Sequence, residues 1–248
     1  MKILVGAKRV VDPNVKVRVS ADGTGIDAEH SKMSLNPFDE NAIEEAVRLK
    51  EKNPNIEIIA LSIGNEKSID VLRTAMARGC DRAILVFSEN NLEPIMVAKV
   101  FKHIVKQENP EIILLGKQAI DDDANQVGQM LAGMLNYPQG TFISKLQIDD
   151  NKVIVAREMD SGTETLELKL PVVLTADLHL NEPRFIKLPQ LMMAKKKPIE
   201  QLNFDDLGIS YKESTVLLQA YDGEIKKSCK MLDNVEQLIE VLKEKKAL

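Results

Sequence analysis

The sequence predicts a doubly wound α/β domain built on a mostly parallel sheet, and three observations carry that prediction. Short β-branched runs recur through the first half of the 248-residue chain, each followed by a stretch of helical period. The runs are near-continuously apolar, as strands covered on both faces must be. The stretches between them have the length that a crossover returning the chain to a parallel neighbour requires.

The first run centres on Ile3 to Val5, the second on Ile56 to Leu61, the third on Arg82 to Phe87 and the fourth on Glu111 to Gly116. Helices are expected at Asp39 to Lys52, Glu66 to Arg78, Glu93 to Gln107 and Asp123 to Leu135. The first has Ala42, Ile43, Ala46, Val47 and Leu49 on its apolar side, with Glu44, Glu45, Arg48 and Lys50 outside. Asn36 is placed to cap its free amides, and Pro37 suits a first helical position because it has no amide to satisfy. Gly79 reads as the stop of the second helix. Between the first strand and the first helix, Val15 to Val19 and Ile26 flank a turn-rich centre and read as an inserted hairpin.

After Pro138 the pattern changes. Ile143 to Ile148 and Val153 to Arg157 around Asp149-Asp-Asn151 read as antiparallel hairpin material, followed by an alternating strand at Thr163 to Leu168. Val172 to Thr175 is apolar enough to rejoin the main sheet. Leu178 to Gly208 contains Pro183, Pro189 and Pro198 with little periodicity, so an extended segment is expected. A last amphipathic helix runs from Asp233, with Glu236 completing a capping box and Leu238, Ile239 and Leu242 facing inward. The expected organisation is an α/β domain over residues 1–182, then a docking loop and C-terminal arm over 183–248 that wraps a second chain.

Composition excludes several functions. A net charge of -5 with interspersed signs, no tryptophan and 4% aromatics leave little for a nucleic-acid surface or a base-stacking platform. No stretch reaches the roughly 18 apolar residues of a membrane span, and the N-terminal apolar run is too short for a secretory leader. No membrane insertion and a cytoplasmic location are therefore expected. Cys80 and Cys229 lack a partner spacing, and His30, His103 and His179 are scattered, which gives neither a disulfide framework nor a metal site. Ser20, Ser31, Ser34, Ser62, Ser68 and Ser88 lack nucleophile-elbow surroundings, so no catalytic triad is legible and no enzyme is expected.

The chemistry gathers in Gly116-Lys-Gln-Ala-Ile-Asp-Asp-Asp-Ala-Asn-Gln-Val-Gly128, between a buried strand and a helix. Ligands of open parallel sheets bind beyond the carboxyl ends of the strands, where a helix start offers unpaired amides to phosphate. Gly116 permits close approach, and Asn125, Gln126 and Gln129 can bond phosphate or sugar oxygens without repulsion. Asp121, Asp122 and Asp123 would repel an anion, and Asp123 reads better as a cap or first-turn residue. Two readings stand: an anion or nucleotide site, or an acidic cap on a solvated loop. There is no G-x-G-x-x-G and no G-x-x-x-x-G-K-[ST]. Ser62-Ile63-Gly64 closes the second strand at the same end, as a ligand wall or an ordinary turn. Lys195-Lys-Lys197 after Leu191-Met-Met193 reads as a basic patch, a solvated face, or a rim around an apolar docking site; neighbouring Leu188 and Leu191 favour the last.

Several blocks together resemble the beta subunit of electron transfer flavoprotein: Val5-Gly-Ala-Lys-Arg-Val10, Asn36-Pro-Phe38, Glu44-Glu-Ala-Val-Arg-Leu-Lys50, the Gly116 block, Pro138-Gln-Gly-Thr-Phe142, Leu170-Pro171, and Thr175-Ala-Asp-Leu178 through Asn181-Glu-Pro-Arg184. The resemblance implies an α/β fold of the adenine-nucleotide-binding type and a heterodimer with a larger alpha subunit carrying redox-active FAD. It implies a structural AMP in this subunit, electrons accepted from acyl-CoA and related dehydrogenases, and delivery to a membrane quinone oxidoreductase; in a eukaryote the location would be the mitochondrial matrix. The AMP pocket it implies comprises Gly6, Asn36, Pro37, Phe38, Asp39, Ile63, Gly116, Lys117, Gln118, Ala119, Ile120, Asp121, Asp122, Asp123, Ala124, Asn125, Gln126 and Val127. Val127 lacks the hydroxyl frequent in relatives, which leaves its backbone amide for phosphate. The hairpin near Asp12 and Pro13 would approach the flavin. The docking loop would be Arg184 to Met193, with Leu188 as anchor, Leu191 beside it, and Met193 and Lys196 at positions methylated as lysines in some relatives. An electron-bifurcating relative would hold a second FAD in the nucleotide site, but its glycine-for-aspartate change in the Ile120 to Asp123 run is missing. A stand-alone adenine-nucleotide sensor shares the same sheet and crevice.

Overall fold

The computed structural model describes residues 1–28, 30–210, 213–221 and 229–248. Strand β1 (Lys2–Gly6) is followed by β2 (Arg9–Val11), β3 (Met33–Leu35) and helix α1 (Pro37–Lys52). Next come β4 (Glu57–Gly64), α2 (Ile69–Arg78), β5 (Arg82–Phe87), α3 (Pro94–Glu108), β6 (Ile112–Gly116) and α4 (Val127–Leu135). The antiparallel run β7 (Gln139–Asp149), β8 (Lys152–Met159) and β9 (Gly162–Lys169) precedes β10 (Val172–Ala176), α5 (Leu188–Lys196), β11 (Glu200–Asn203) and α6 (Val235–Glu244).

The mostly parallel doubly wound sheet is present. Its nine strands run β11-β5-β4-β1-β6-β10-β7-β8-β9, parallel as far as β7 and antiparallel beyond. Period-two alternation of fully buried side chains divides the core between the two faces. Ile3 and Val5 join α1 and α2 on one side, while Leu4 joins α3 and α4 on the other. The chain moves outward from β1 through β4 to β5, then crosses to β6 on the other side of β1. The switch point therefore lies between β1 and β6, where a crevice opens beyond the strand ends.

Several local expectations are corrected. The inserted hairpin exists, but its regular pairing joins β2 to β3; at Val15 to Val19 and Ile26 there is one bridge, Val19 to Ile26. Val17 and Ile26 are exposed, so alternation there has no layer to bury into. Helix α4 starts at Val127, not Asp123, because Asp123 (φ 48°) and Asn125 (φ 51°) are left-handed. The segment expected to be extended holds α5 and the edge strand β11, with Pro189 in the first helical turn where its missing amide is harmless. Glu44 and Glu45 are buried, not solvated. The box on α6 is Asn234 with Gln237, and Leu238 and Ile239 face solvent on this chain. Of the arm, 211–212 and 222–228 lie outside the described residues.

The close fit of α4 to the sheet rests on a glycine. A Cβ at Gly128 would sit 2.4 Å from Thr175 Cγ2. Gly128→Ala is expected to cost about 1–3 kcal/mol through overpacking. Thr175→Ser removes that methyl yet keeps the hydroxyl that accepts from the Phe142 amide at 3.1 Å. Thermal melting should show Gly128→Ala partly rescued in the double variant; an unrescued double variant would refute the clash.

Candidate functional site

The crevice at the switch point is shaped by one buried carboxylate. Asp39, in the first turn of α1, accepts from the Lys8 amide through Oδ2 at 2.9 Å and from the Gly116 amide through Oδ1 at 2.9 Å. It thereby ties the outgoing ends of β1 and β6 to one helix start. Gly116 is required by that approach, since a Cβ there would lie 2.6 Å from Asp39 Oδ1 and 2.7 Å from Phe38 Cβ. Burial pushes the Asp39 carboxyl above the ordinary carboxylate range, and the amides of Lys8 and Gly116 pull in the opposite direction without cancelling it.

Asn36 was expected to cap α1 and does not. Its Nδ2 donates to the Gln118 carbonyl at 2.9 Å and its Oδ1 accepts from the Ile120 amide at 3.3 Å. With 1% of its surface exposed, it anchors the loop between β6 and α4 to α1. Pro37 opens the helix, and Phe38 stands behind the loop with its ring 5.3 Å from Lys117 Nζ.

The carboxylates Asp121, Asp122 and Asp123 are occupied. Lys8 Nζ donates to Asp121 at 2.8 Å and to Asp122 at 3.2 Å. Burial lowers the affinity of Lys8 for its proton, yet Asp121 and Asp122 together outweigh it and the Lys8 pKa is raised. Asp122 also accepts from the Ala124 amide, and Asp123 accepts from Gln118 Nε2 at 2.6 Å. Asn125 accepts from Gln129 Nε2 at 3.1 Å. Among the described residues no side chain caps α4, so its first-turn amides and the positive end of the helix dipole are left open where Gln126 and Val127 line the crevice.

Of the residues singled out in the sequence, Gly6, Asn36, Asp39, Ile63, Gly116, Lys117, Gln118, Ala119, Asp122, Ala124, Asn125, Gln126 and Val127 line the crevice. Pro37, Phe38, Ile120, Asp121 and Asp123 stand outside its lining. Lys117 lines the wall, while its ammonium donates to Asp177 at 2.7 Å and lies over the rings of Phe38 and Phe142. Gly64, which with Ile63 closes the second strand, lines the crevice too, whereas sequence reasoning missed Ala7, Lys8, Leu61, Leu115 and the opposite wall of Asn90, Asn91, Leu92, Pro94, Val97 and Phe101. Lys8 follows the first strand at the correct sheet end and could have been found; the α3 wall has no local signal.

On α5, which packs against α2, Leu188, Met192, Met193 and Lys196 are exposed, with Phe185 just before the helix. Leu191 packs against the core instead. Arg184 points inward, donating to Glu44 and Glu51. Among the described residues no group of His, Cys, Asp or Glu is placed to hold a metal ion. Burial pushes the Cys80 thiol up to about 12, the range of an inert core thiol. None of the described helices is long and apolar enough to cross a membrane.

The fold and crevice define a class: a doubly wound α/β chain with an amide-rimmed cleft at its switch point. The model of the electron transfer flavoprotein domain matches residues 24–207. The electron transfer flavoprotein subunit beta of Bradyrhizobium diazoefficiens is 47% identical over 243 residues, with 98% of each chain covered. The mitochondrial subunit beta of Arabidopsis thaliana is 48% identical over 245 residues, again with 98% of each covered. The human subunit beta is 46% identical over 248 residues, covering 98% of this chain and 97% of that one. The chain belongs to the electron transfer flavoprotein family, as a beta subunit.

Asp39 gives the site its first test. In Asp39→Asn one acceptor becomes a donor facing a backbone N–H, at an expected cost of about 1–3 kcal/mol in chemical denaturation. Because the folded pKa of Asp39 is raised, its titration favours folding at the acid end of the window and less as pH rises through the folded pKa. The wild type's advantage over the variant should shrink across that window; an advantage growing with pH would contradict the assignment.

Proposed function

We propose that this chain is the beta partner of a heterodimeric electron-transfer flavoprotein, holding AMP in the switch-point crevice and helping to enclose the FAD of an alpha subunit. In this reading it docks acyl-CoA and related dehydrogenases, and the dimer passes their electrons to a membrane quinone oxidoreductase. The FAD supplies the redox chemistry when bound. No side chain of this chain is needed as acid, base or nucleophile, because transfer between flavins demands placement more than bond chemistry. The expected setting is cytoplasmic, or the mitochondrial matrix in a eukaryote.

The observation that carries the nucleotide assignment is the Gly116 loop. Its glycine lets the backbone lie against Asp39, its acids are spent on Lys8 and Gln118, and the uncapped start of α4 with Asn125 and Gln126 remains for a phosphate. Leu61, Ile63, Leu92, Val97, Phe101 and Leu115 give an apolar wall suited to a flat base. AMP therefore fits the residues present. Gly6, Asn36 to Asp39, Ile63 and Gly116 to Val127 would form or support its pocket, with Val127 offering its amide.

The division into residues 1–182 and an arm from 183 is part of the proposal. It is supported by apolar residues the arm leaves uncovered: Val216, Leu217, Leu218, Tyr221, Met231 and Val235 are exposed. Such a surface suits an alpha subunit lying under the arm. The docking role of Arg184 to Met193 is supported by Phe185, Leu188, Met192 and Met193 beside exposed Lys187, Lys195 and Lys196, an apolar edge rimmed by cations.

Mass spectrometry of the denatured heterodimer should release one AMP and one FAD. Flavin without AMP removes the nucleotide assignment, and two flavins place FAD in the crevice. Leu188→Ala is expected to slow reduction by an acyl-CoA dehydrogenase roughly tenfold or more, within the range of interface hot spots, at unchanged flavin content; unaltered kinetics would remove the docking role.

A further inference from the structure

We propose that Arg184 is a positioning residue: held by Glu44 and Glu51, it fixes the root of the segment carrying Phe185, Leu188, Met192 and Met193, and so sets how that edge meets an acidic protein partner. The inference rests on the docking role proposed above and adds to it a residue that acts without touching the partner.

Arg184 directs its donors into the chain's own helices. Its backbone amide donates to Glu44 Oε2 at 3.2 Å, its Nε to the same oxygen at 2.9 Å, and NH2 to Oε1 at 3.0 Å. NH1 and NH2 donate to Glu51 at 2.5 and 3.1 Å. The Arg184 carbonyl accepts from Arg78 NH1 at 2.7 Å. Both backbone polar groups and the guanidinium are thus committed to α1 and α2, and two carboxylates neutralise the charge. A residue so occupied has little left for a partner.

The next residue is the reverse. Phe185 is 97% exposed and Leu188 is 71% exposed. One peptide bond separates a residue tied at every polar group from one with almost no intramolecular cover. The far end of the segment is pinned as well: Arg73 NH1 donates to the Ala194 carbonyl at 2.6 Å and to the Lys197 carbonyl, and Lys197 Nζ reaches the Cys80 carbonyl at 3.3 Å. Upstream, Asn41 and Asn181 exchange hydrogen bonds and Arg48 donates to the Glu182 carbonyl. The exposed apolar edge is a short span fixed at both roots, which lowers the ordering cost of binding.

A charged clamp suits this role better than an apolar one. Glu44 is 1% exposed and sits inside the face of α1, so without the Arg184 guanidinium a buried carboxylate would lose two of its donors and keep Arg48 Nε at 2.9 Å and the residue-184 amide. The planar guanidinium satisfies two carboxylates in one orientation, where an apolar side chain would tolerate several. Lys187, Lys195 and Lys196 remain exposed to steer an acidic surface.

The test is a double-variant cycle on the assembled heterodimer, following reduction by an acyl-CoA dehydrogenase. Arg184→Ala should raise the half-saturating dehydrogenase concentration about tenfold, with the limiting rate, flavin content and salt dependence unchanged. Combined with Leu188→Ala, the losses should fail to multiply, because a misplaced anchor and an absent one are nearly the same defect. Losses that multiply, or a salt dependence that drops with Arg184→Ala, would overturn the proposal by making Arg184 an independent or direct contact. A wild-type response of Arg184→Ala beside an impaired Leu188→Ala overturns the clamp and leaves docking intact; a wild-type response of Leu188→Ala removes the docking role itself. If Arg184→Ala does not fold, Glu51→Gln, which loosens only the exposed half of the clamp, should give the same direction with a smaller effect, and its absence would be equally decisive.

Discussion

The crevice depends on a carboxylate that elementary electrostatics disfavours. Asp39 is buried, and burial raises its pKa; two backbone amides and the first turn of α1 oppose that tendency. Hydrogen bonds to a charged group contribute about 1.5–3 kcal/mol each, enough for two to offset much of the desolvation cost. Because its two oxygens bind different strand ends, Asp39 fixes the gap between β1 and β6 and the exit of the loop that follows. Gly116 is the complementary requirement, since any side chain would displace the carboxylate it donates to. Asn36, three residues before, extends the same logic to Gln118 and Ile120.

The acidic run Asp121 to Asp123 shows how a loop can carry like charges and still leave room for an anion. Each carboxylate has a donor within the loop or on the neighbouring strand end: Lys8 for the first two and Gln118 for the third. Their bonds hold the loop away from helical geometry until Val127, and the left-handed Asp123 and Asn125 mark that path. The delay is useful, because it leaves the first amides of α4 at the rim with no side chain spent on them. A loop that became helical at Asp123 would have capped itself.

Strands, helices and the crevice were legible wherever the determining contacts are local or periodic. The four apolar runs and the glycine-led turn after β6 carry their own signatures, and the parallel sheet follows from them. What escaped was set by distant partners. Glu44 and Glu45 lie on the polar side of α1 by any helical count, yet Arg184 and Asn181, some 140 and 136 residues later, cover them. Helix α5 was hidden by three prolines, though Pro189 stands where a helix accepts one, and its burial of Ala194 depends on α2. The α3 wall is equally non-local. On α6 the period was read correctly and its direction wrongly, because an apolar stripe does not say which chain will cover it.

One helix connects these parts. The start of α1 brings Asn36, just before the helix, and Asp39 to the crevice; its later turns supply Asn41, Glu44, Glu45, Arg48 and Glu51 to the segment from Leu178 to Arg184. The two groups of contacts differ in kind. Those at the crevice bond the backbone of the strand ends and of the loop after β6, so they define distances within the sheet; those along the helix bond side chains and carbonyls of the later segment, from buried Asn41, Glu44 and Glu45 out to exposed Glu51. Lys117 joins the sets from the other side, since it lines the crevice while its ammonium holds Asp177, the residue that leads into Leu178. A displacement of α1 along its axis would therefore disturb crevice and segment together, whereas loss of a single outer carboxylate would disturb only the segment. That separation lets substitutions at Glu44 or Glu51 be read apart from substitutions at Asp39, although all three stand on the same sixteen-residue helix.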